Sequence, residues 1–492
     1  MSRLFHKKIR NVSNNSLKEK TAKGLLWGGL GNGIMQILNL VFGIFLARLL
    51  TPSDYGMVGM LAIFSAIAGT IQESGFTNAL ANKQNITHND YNAVFWFSTL
   101  TGGLLYIILF LSAPLIADYY NQPDLIRLSR IYFLGFVISS TATSHNAYLF
   151  RNLMTREKAT AQIYAITISC VIGIILAYNG MSYWGLAIQN LIYIAIVNLS
   201  LWFYSPWRPT FNIDFGPIKE FFGFSVKILL TNIFNQVNNN IFSTIIGRKF
   251  TPYSVGLYTQ ANKWNSMGSS LISSTIGGVA QPIFAQATDD KAKQLSIFRK
   301  MLRFTSYISF PTMLGLALIA PEFILLTIKD KWIDCIPILQ QLCIWGAFFP
   351  ITTLCSYLLI SRGKSNLNLY SNITLGCLQI VALLISWRFG ISIMISTYVI
   401  INILWMIVWY LMVRKEIGLR FMDAIKDICP FIIITIVAAI TAKVICGFMD
   451  SPYMILASKI IITAVLYLGI SRIANSKIQD EIFSYLLKRK IK

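Results

Sequence analysis

Asn32, Gln36 and Asn39 recur at i, i+4 and i+7, a spacing that sets three carboxamides on one face of a helix. Asn232, Gln236 and Asn239 repeat the stripe 200 residues later. A carboxamide both donates and accepts hydrogen bonds, which suits it to polar groups on other helices or to ordered water. The surrounding stretches are apolar, and amides turned to hydrocarbon would go without partners. The stripes must therefore face other helices, as interhelical hydrogen bonds, or an aqueous cavity. Around the second stripe stand Thr231, Asn235, Asn238, Asn240, Ser243 and Thr244, more polarity than helix packing alone needs, which favours the cavity there.

Positive charge lies close by. Arg48 and Arg248 close the two stretches at matching positions, and Lys227 and Lys263 fall within the seventh and eighth apolar stretches. A cation at the centre of a membrane helix costs on the order of 3 kcal/mol unless it snorkels, pairs or meets water. Glu73 is the acid this reading places inside a span, so an anionic substrate is the expected counter-charge. Arg48 and Arg248 can instead snorkel to the interface, and Lys227 can reach an edge, whereas Lys263 is the hardest to explain that way. Arg127 and Arg130, one turn apart, face either headgroups or a cavity mouth. Lys443 and Lys459 are expected at the membrane interface. Catalysis has no comparable support: His6, His88 and His145 lie far apart, no GxxxxGK[ST] sequence occurs, and no acidic pair falls in a span. The seven cysteines show no metal-binding spacing. No catalytic residue, metal or cofactor is expected, and the chain is not read as an enzyme.

The elements that must carry these residues are membrane helices. With 55% apolar and 13% charged residues in 492, there is too little polar surface to cover a soluble globule. Stretches of about 20 apolar residues recur along the chain, each long enough to cross the hydrocarbon core. Fourteen spans are predicted between residues 24 and 471, among them 301–320 and 429–448. The fold class is all-α integral membrane. The net charge of +22 has a topological reading, because the 42 Lys and Arg concentrate in alternate connections and in the two tails. By the positive-inside rule both tails are cytoplasmic, and nucleic-acid binding is not expected.

Residues 27–57 and 227–257 align without a gap and share nine identities in 31 positions, including Arg48/Arg248, Thr51/Thr251, Pro52/Pro252 and Gly56/Gly256. Six spans separate the copies, so both run the same way through the bilayer, the parallel-repeat arrangement of transporters with a site between the halves. The domain reading is a basic tail (1–23), an N-lobe of six spans (24–204), a linker (205–220), a C-lobe of six spans (221–413), an extra helix pair (429–471) and a second basic tail (472–492).

The segments Ala47 to Gly56 (ARLLTPSDYG), Glu73 to Leu80 (ESGFTNAL), Ala113 to Tyr120 (APLIADYY) with Pro123, Gly247 with Gly256-Leu257-Tyr258, and Trp332 before Pro337-Ile338-Leu339 resemble, in this order, the polysaccharide exporters of the multidrug/oligosaccharidyl-lipid/polysaccharide (MOP) superfamily, in the Wzx-type, colanic-acid-exporter-like branch. The resemblance implies a flippase that carries an undecaprenyl-pyrophosphate-linked oligosaccharide (O-antigen, capsule or exopolysaccharide unit) across the bacterial plasma membrane by alternating access. The polysaccharide assembly machinery is the protein partner it implies. The cations above would meet the pyrophosphate and the amides the sugars. Relatives of this pattern carry an Asp where this chain has Asn239 or Asn240, so ion coupling through span 7 is in doubt and Glu73 remains for coupling or gating. A multidrug exporter of the same superfamily would want an acidic cavity, and a membrane polysaccharide polymerase or ligase a large outer loop with catalytic groups; neither is found in the sequence.

Overall fold

A computed structural model of the chain describes residues 27, 29–73, 76, 77, 80, 83 and 85–473, with the backbone alone at 220–228. The first basic tail, and the second from residue 474 on, lie outside the described residues. The long helices are α1 (Gly29–Leu49), α2 (Pro52–Glu73), α3 (His88–Tyr120), α4 (Leu125–Ser140 and Thr143–Arg151, bent by 47°), α5 (Thr155–Tyr178) and α6 (Ser182–Tyr204). They continue with α7 (Gly216–Lys249), α8 (Pro252–Gln286), α9 (Lys291–Ile328), α10 (Cys335–Ser361) and α11 (Ser365–Phe389), and end with α12 (Ile391–Ile417), α13 (Phe421–Cys446) and α14 (Pro452–Ile473). No strand occurs among the described residues.

Eleven of these helices, or twelve with the bent α4 as one span, are long and apolar enough to cross a membrane. The chain is an all-α, multi-pass integral membrane protein. Helices α7 and α8, at 34 and 35 residues, have the length but not the apolarity. At 1.5 Å per residue each extends roughly 50 Å, more than a bilayer core needs. Their shortfall comes from Asn, Gln, Ser and Thr, the polarity noted around the second stripe.

Local chemistry sets the helix starts. Thr51 accepts from the Asp54 amide while the Asp54 carboxylate accepts from the Thr51 amide and hydroxyl, and Pro52 supplies a preset φ at the first turn. Thr87 and Asp90 repeat the device at α3. The 205–215 linker runs extended along the start of α3: Asn92 donates to the Asn212 carbonyl at 2.6 Å and accepts from the Thr210 amide at 2.8 Å, and the Trp96 indole donates to the Thr210 carbonyl. Trp207 is thereby buried among Tyr91, Phe95 and His145.

The chain packs as two compact units that divide after Tyr253. Helix α7, which the repeat assigns to the second half, packs in the first unit against α2 and α3. Its last turn shows why. A Cβ on Gly247 would come within 2.7 Å of the Tyr120 ring, so glycine is what lets α7 approach α3 there. Arg248 then donates to the carbonyls of Asp118 and Tyr119 at the α3 terminus, with its guanidinium over the Tyr119 ring. The two Thr-Pro loops of the repeat also meet, because a Cβ on Gly56 would overlap the Pro252 carbonyl.

In the second unit α9 is the hub for the extra helix pair. Asp427 of α13 is buried and accepts from Arg299 Nε at 2.7 Å, with Arg303 at 3.7 Å, and Asp423 adds a second contact to Arg299. Lys459 of α14 is 8% exposed and binds Glu322 at 2.7 Å. Lys459 is thus paired within the bundle, and Glu322 and Asp427 fall within candidate spans beside Glu73, which corrects the reading of Glu73 as the acid inside a span. The physical reason is helix length: α9 continues through Pro311 and Pro321 to Ile328 instead of ending near 320, and α13 starts at Phe421 instead of 429, which brings Glu322 and Asp427 into the helices. Lys443 is exposed.

Candidate functional site

On α1, Asn32 is exposed and Gln36 and Asn39 are half-buried. Leu46, seven residues beyond Asn39 and so in line with the stripe, packs with Ala177 of α5, and Gly31 lies against Ala159. On α7, Asn232 and Asn239 are exposed and Gln236 half-buried. Among the described residues none of these six side chains makes a hydrogen bond, so the stripes are not knitting helices together there. Asn240 and Thr244, by contrast, fold back on the carbonyls of Gln236 and Asn240.

The cations predicted with the stripes are spread out. Arg48 is exposed at the end of α1, Arg248 is exposed and gives Nη1 to the α3 terminus, and the Lys227 side chain lies outside the described residues. Lys263 is half-buried on α8, in the second unit. Arg130 lies over the Phe110 ring at 4.3 Å, which ties it to α3, while Arg127 is exposed.

Among the described residues, Glu73 lines a partly open cavity. This chamber of about 530 Å³ lies within the first unit, among α2, α4, α5 and α6. Each helix contributes one stripe at helical spacing. From α2 come Ser65, Gly69, Gln72 and Glu73; from α5, Lys158, Ala161 and Gln162; from α6, Asn190, Ile194 and Val197. Helix α4 supplies Tyr132, Phe136 and Ser139 before its bend and Thr143 and Asn146 after it. The bend is held from behind: Asn198 of α6 donates to the Ile138 carbonyl and to Thr141 Oγ1, and the Trp202 indole to the Thr141 carbonyl. Ser139 donates to Gln72 Oε1 at 3.1 Å across the chamber.

Lys158, Gln162, Asn146 and Asn190 were not singled out from sequence. For Asn146 the available signal was the polar run Ser139-Ser140-Thr141-Ala142-Thr143-Ser144-His145-Asn146 in the second half of the fourth span. No group of His, Cys, Asp and Glu suited to a metal occurs among the described residues.

A family model described as polysaccharide biosynthesis protein matches residues 45–337. The lipopolysaccharide biosynthesis protein WzxC of Escherichia coli K12 is 25% identical over 85% of this chain and 86% of its own length. An uncharacterized membrane protein in the cps region of Klebsiella pneumoniae is 26% identical over 73% and 74%, and the teichuronic acid biosynthesis protein TuaB of Bacillus subtilis 24% over 72% and 74%. In fold the chain is similar to the lipid II flippase MurJ in its inward closed conformation, with a TM-score of 0.76 over 92% of this chain and 99% of that one at 14% identity. It is also similar to an inward-facing multidrug resistance MATE family transporter of the MOP superfamily, with a TM-score of 0.60 over 78% and 94% at 16% identity. The family match takes in more than half of the residues, from the end of α1 to the start of α10, and the chain belongs to the polysaccharide biosynthesis protein family.

Proposed function

We propose that this protein is a flippase that moves an undecaprenyl-pyrophosphate-linked oligosaccharide from the inner to the outer leaflet of a bacterial plasma membrane by alternating access, with both chain ends cytoplasmic. The observation that carries the reading is the pair α7 and α8, two helices of membrane-crossing length too polar to lie against lipid, in a protein of a polysaccharide biosynthesis family. Polar membrane helices with uncommitted amides line water or a hydrophilic cargo. WzxC, TuaB and the succinoglycan biosynthesis transport protein ExoT of Rhizobium meliloti, relatives at 24–25% identity, bear names from the building of different surface glycans, which fits a common carrier step. The pyrophosphate is assigned to Lys263 first, with Arg48, Lys227 and Arg248; Arg248 gives only Nη1 to α3, which leaves Nε and Nη2 as donors. An ammonium on a membrane helix costs least when a dianion meets it once per cycle.

Proteoliposomes holding the purified chain and a defined lipid-linked oligosaccharide, scored for leaflet transfer, test this. Transfer above protein-free vesicles is expected, and its absence across glycans overturns the reading. Lys263→Ala should abolish transfer, Lys263→Arg should keep part of it because charge outweighs shape for a mobile headgroup, and Lys263→Glu should be no better than Ala. Full transfer by correctly inserted Lys263→Ala removes the lysine from the site.

A further inference from the structure

The chamber among α2, α4, α5 and α6 is separate from the stripes and cations above, apart from Glu73, and its chemistry points to a particular occupant. Its volume of about 530 Å³ falls in the range of ligand pockets, about 300–1,000 Å³. Asn146, Gln162 and Asn190 present carboxamides that make no side-chain hydrogen bond among the described residues. Amides inside a membrane bundle are expensive unless water or a ligand meets them.

Charge selects among ligands. Glu73 and Lys158 bring one charge of each sign, within electrostatic reach of each other. A pyrophosphate would meet the carboxylate and a bare cation the ammonium, so neither finds the chamber complementary. A polyol without charge is served by both, and by amides that donate and accept as each hydroxyl requires. The Tyr132 and Phe136 rings give the apolar surface that the C–H face of a sugar ring needs.

We infer that this chamber is a subsite for one uncharged sugar residue of the carried glycan, an assignment that rests on the flippase reading for the source of that sugar. Gly69 is a lining position from which it can be filled. A Cβ there would meet nothing within 4 Å, so a larger side chain enters empty space instead of clashing.

The test is saturation-transfer NMR on the purified full chain in detergent, with the methyl glycosides of glucose, galactose and N-acetylglucosamine as probes. At least one probe should give transfer at millimolar concentration. Gly69→Leu, which fills the chamber, and Asn190→Leu, which removes an amide, should each lower it roughly fivefold or more, the scale of one hydrogen bond lost. Thermal unfolding of each variant confirms the fold, and Asn190→Leu and Asn146→Leu decide the matter if Gly69→Leu does not fold. Absence of transfer from every probe, or transfer unchanged in the folded variants, overturns the inference. So does a sodium-induced rise in melting temperature that Glu73→Gln abolishes while no glycoside binds, since that makes the chamber a cation site. Because binding is read without transport, leaflet transfer can fail while glycosides still bind, and the two proposals fall separately.

Discussion

Two regions of this molecule place polar side chains inside long membrane helices and treat them in opposite ways. Where α13 and α14 dock on α9, charge meets charge: Asp427 with Arg299 and Arg303, and Lys459 with Glu322. In the chamber of the first unit the amides of Asn146, Gln162 and Asn190 face a cavity and bond to nothing in the protein among the described residues. Both regions place polar groups on helices long enough to cross a membrane, so polarity by itself does not separate structure from function. The count of partners does. A paired charge has already met the cost of leaving water and holds a helix in register, whereas an unpaired amide keeps its capacity for a cargo that comes and goes.

The largest effect that would break this contrast is expected at Asp427. Its removal leaves two guanidiniums beside α13 without their shared carboxylate, and Asp427→Ala should cost about 3 kcal/mol, at the low end for a broken buried pair because Arg299 and Arg303 retain some exposure. A fall in melting temperature and new protease cleavage near 418–420, between α12 and α13, would report the undocked pair. Unchanged stability would mean that α13 is held by apolar packing alone.

The contact between α14 and α9 gives a sharper and smaller effect. Lys459→Met and Glu322→Leu should each cost about 2–3 kcal/mol by stranding the other charge, while the double variant should return to within about 1 kcal/mol of wild type, since two apolar side chains pack without desolvation cost. Additive losses in chemical unfolding would show that the two side chains act independently.

How far the sequence reaches can be seen at particular residues. The all-α membrane class and the eleven apolar helices, or twelve with the bent α4, follow from apolar run length, which depends on local composition alone, whereas α7 and α8 fall short of the fourteen apolar spans expected. The exceptional polarity of α7 was also legible, because Asn232 to Thr244 declares it without any knowledge of neighbours. Lys459 was not legible, since its partner lies 137 residues away on a helix whose end Pro321 disguises. A proline reads as a stop, yet membrane helices carry it where neighbours make good the lost bond. The chamber was half legible: Ser65, Gly69 and Gln72 share a helical face and 139–146 is a polar run, but only packing shows that α2 and α4 turn these faces to each other. Lys158, one turn into α5, looks from sequence like any basic residue at a membrane edge.

The smallest expected effect is also the finest test of the contrast, because it compares two asparagines on the same helix. Asn198, two turns after Asn190 on α6, is buried and donates to the Ile138 carbonyl and to Thr141 Oγ1 at 2.7 Å, bracing the α4 bend. Asn190 faces the chamber and bonds to no side chain or carbonyl among the described residues. Asn198→Leu removes the donor that both acceptors share and leaves the Thr141 hydroxyl and the Ile138 carbonyl bonded only to each other, which should cost about 1 kcal/mol. Asn190→Leu strands nothing and should stay within about 0.5 kcal/mol of wild type, since only water gives up its contacts. Melting curves of the two purified variants measure the difference directly. Equal losses would mean that Asn190 has a structural partner after all, and a neutral Asn198→Leu would mean that the α4 bend holds without its brace; either result removes the rule that partnered amides build this bundle and unpartnered ones serve its cargo.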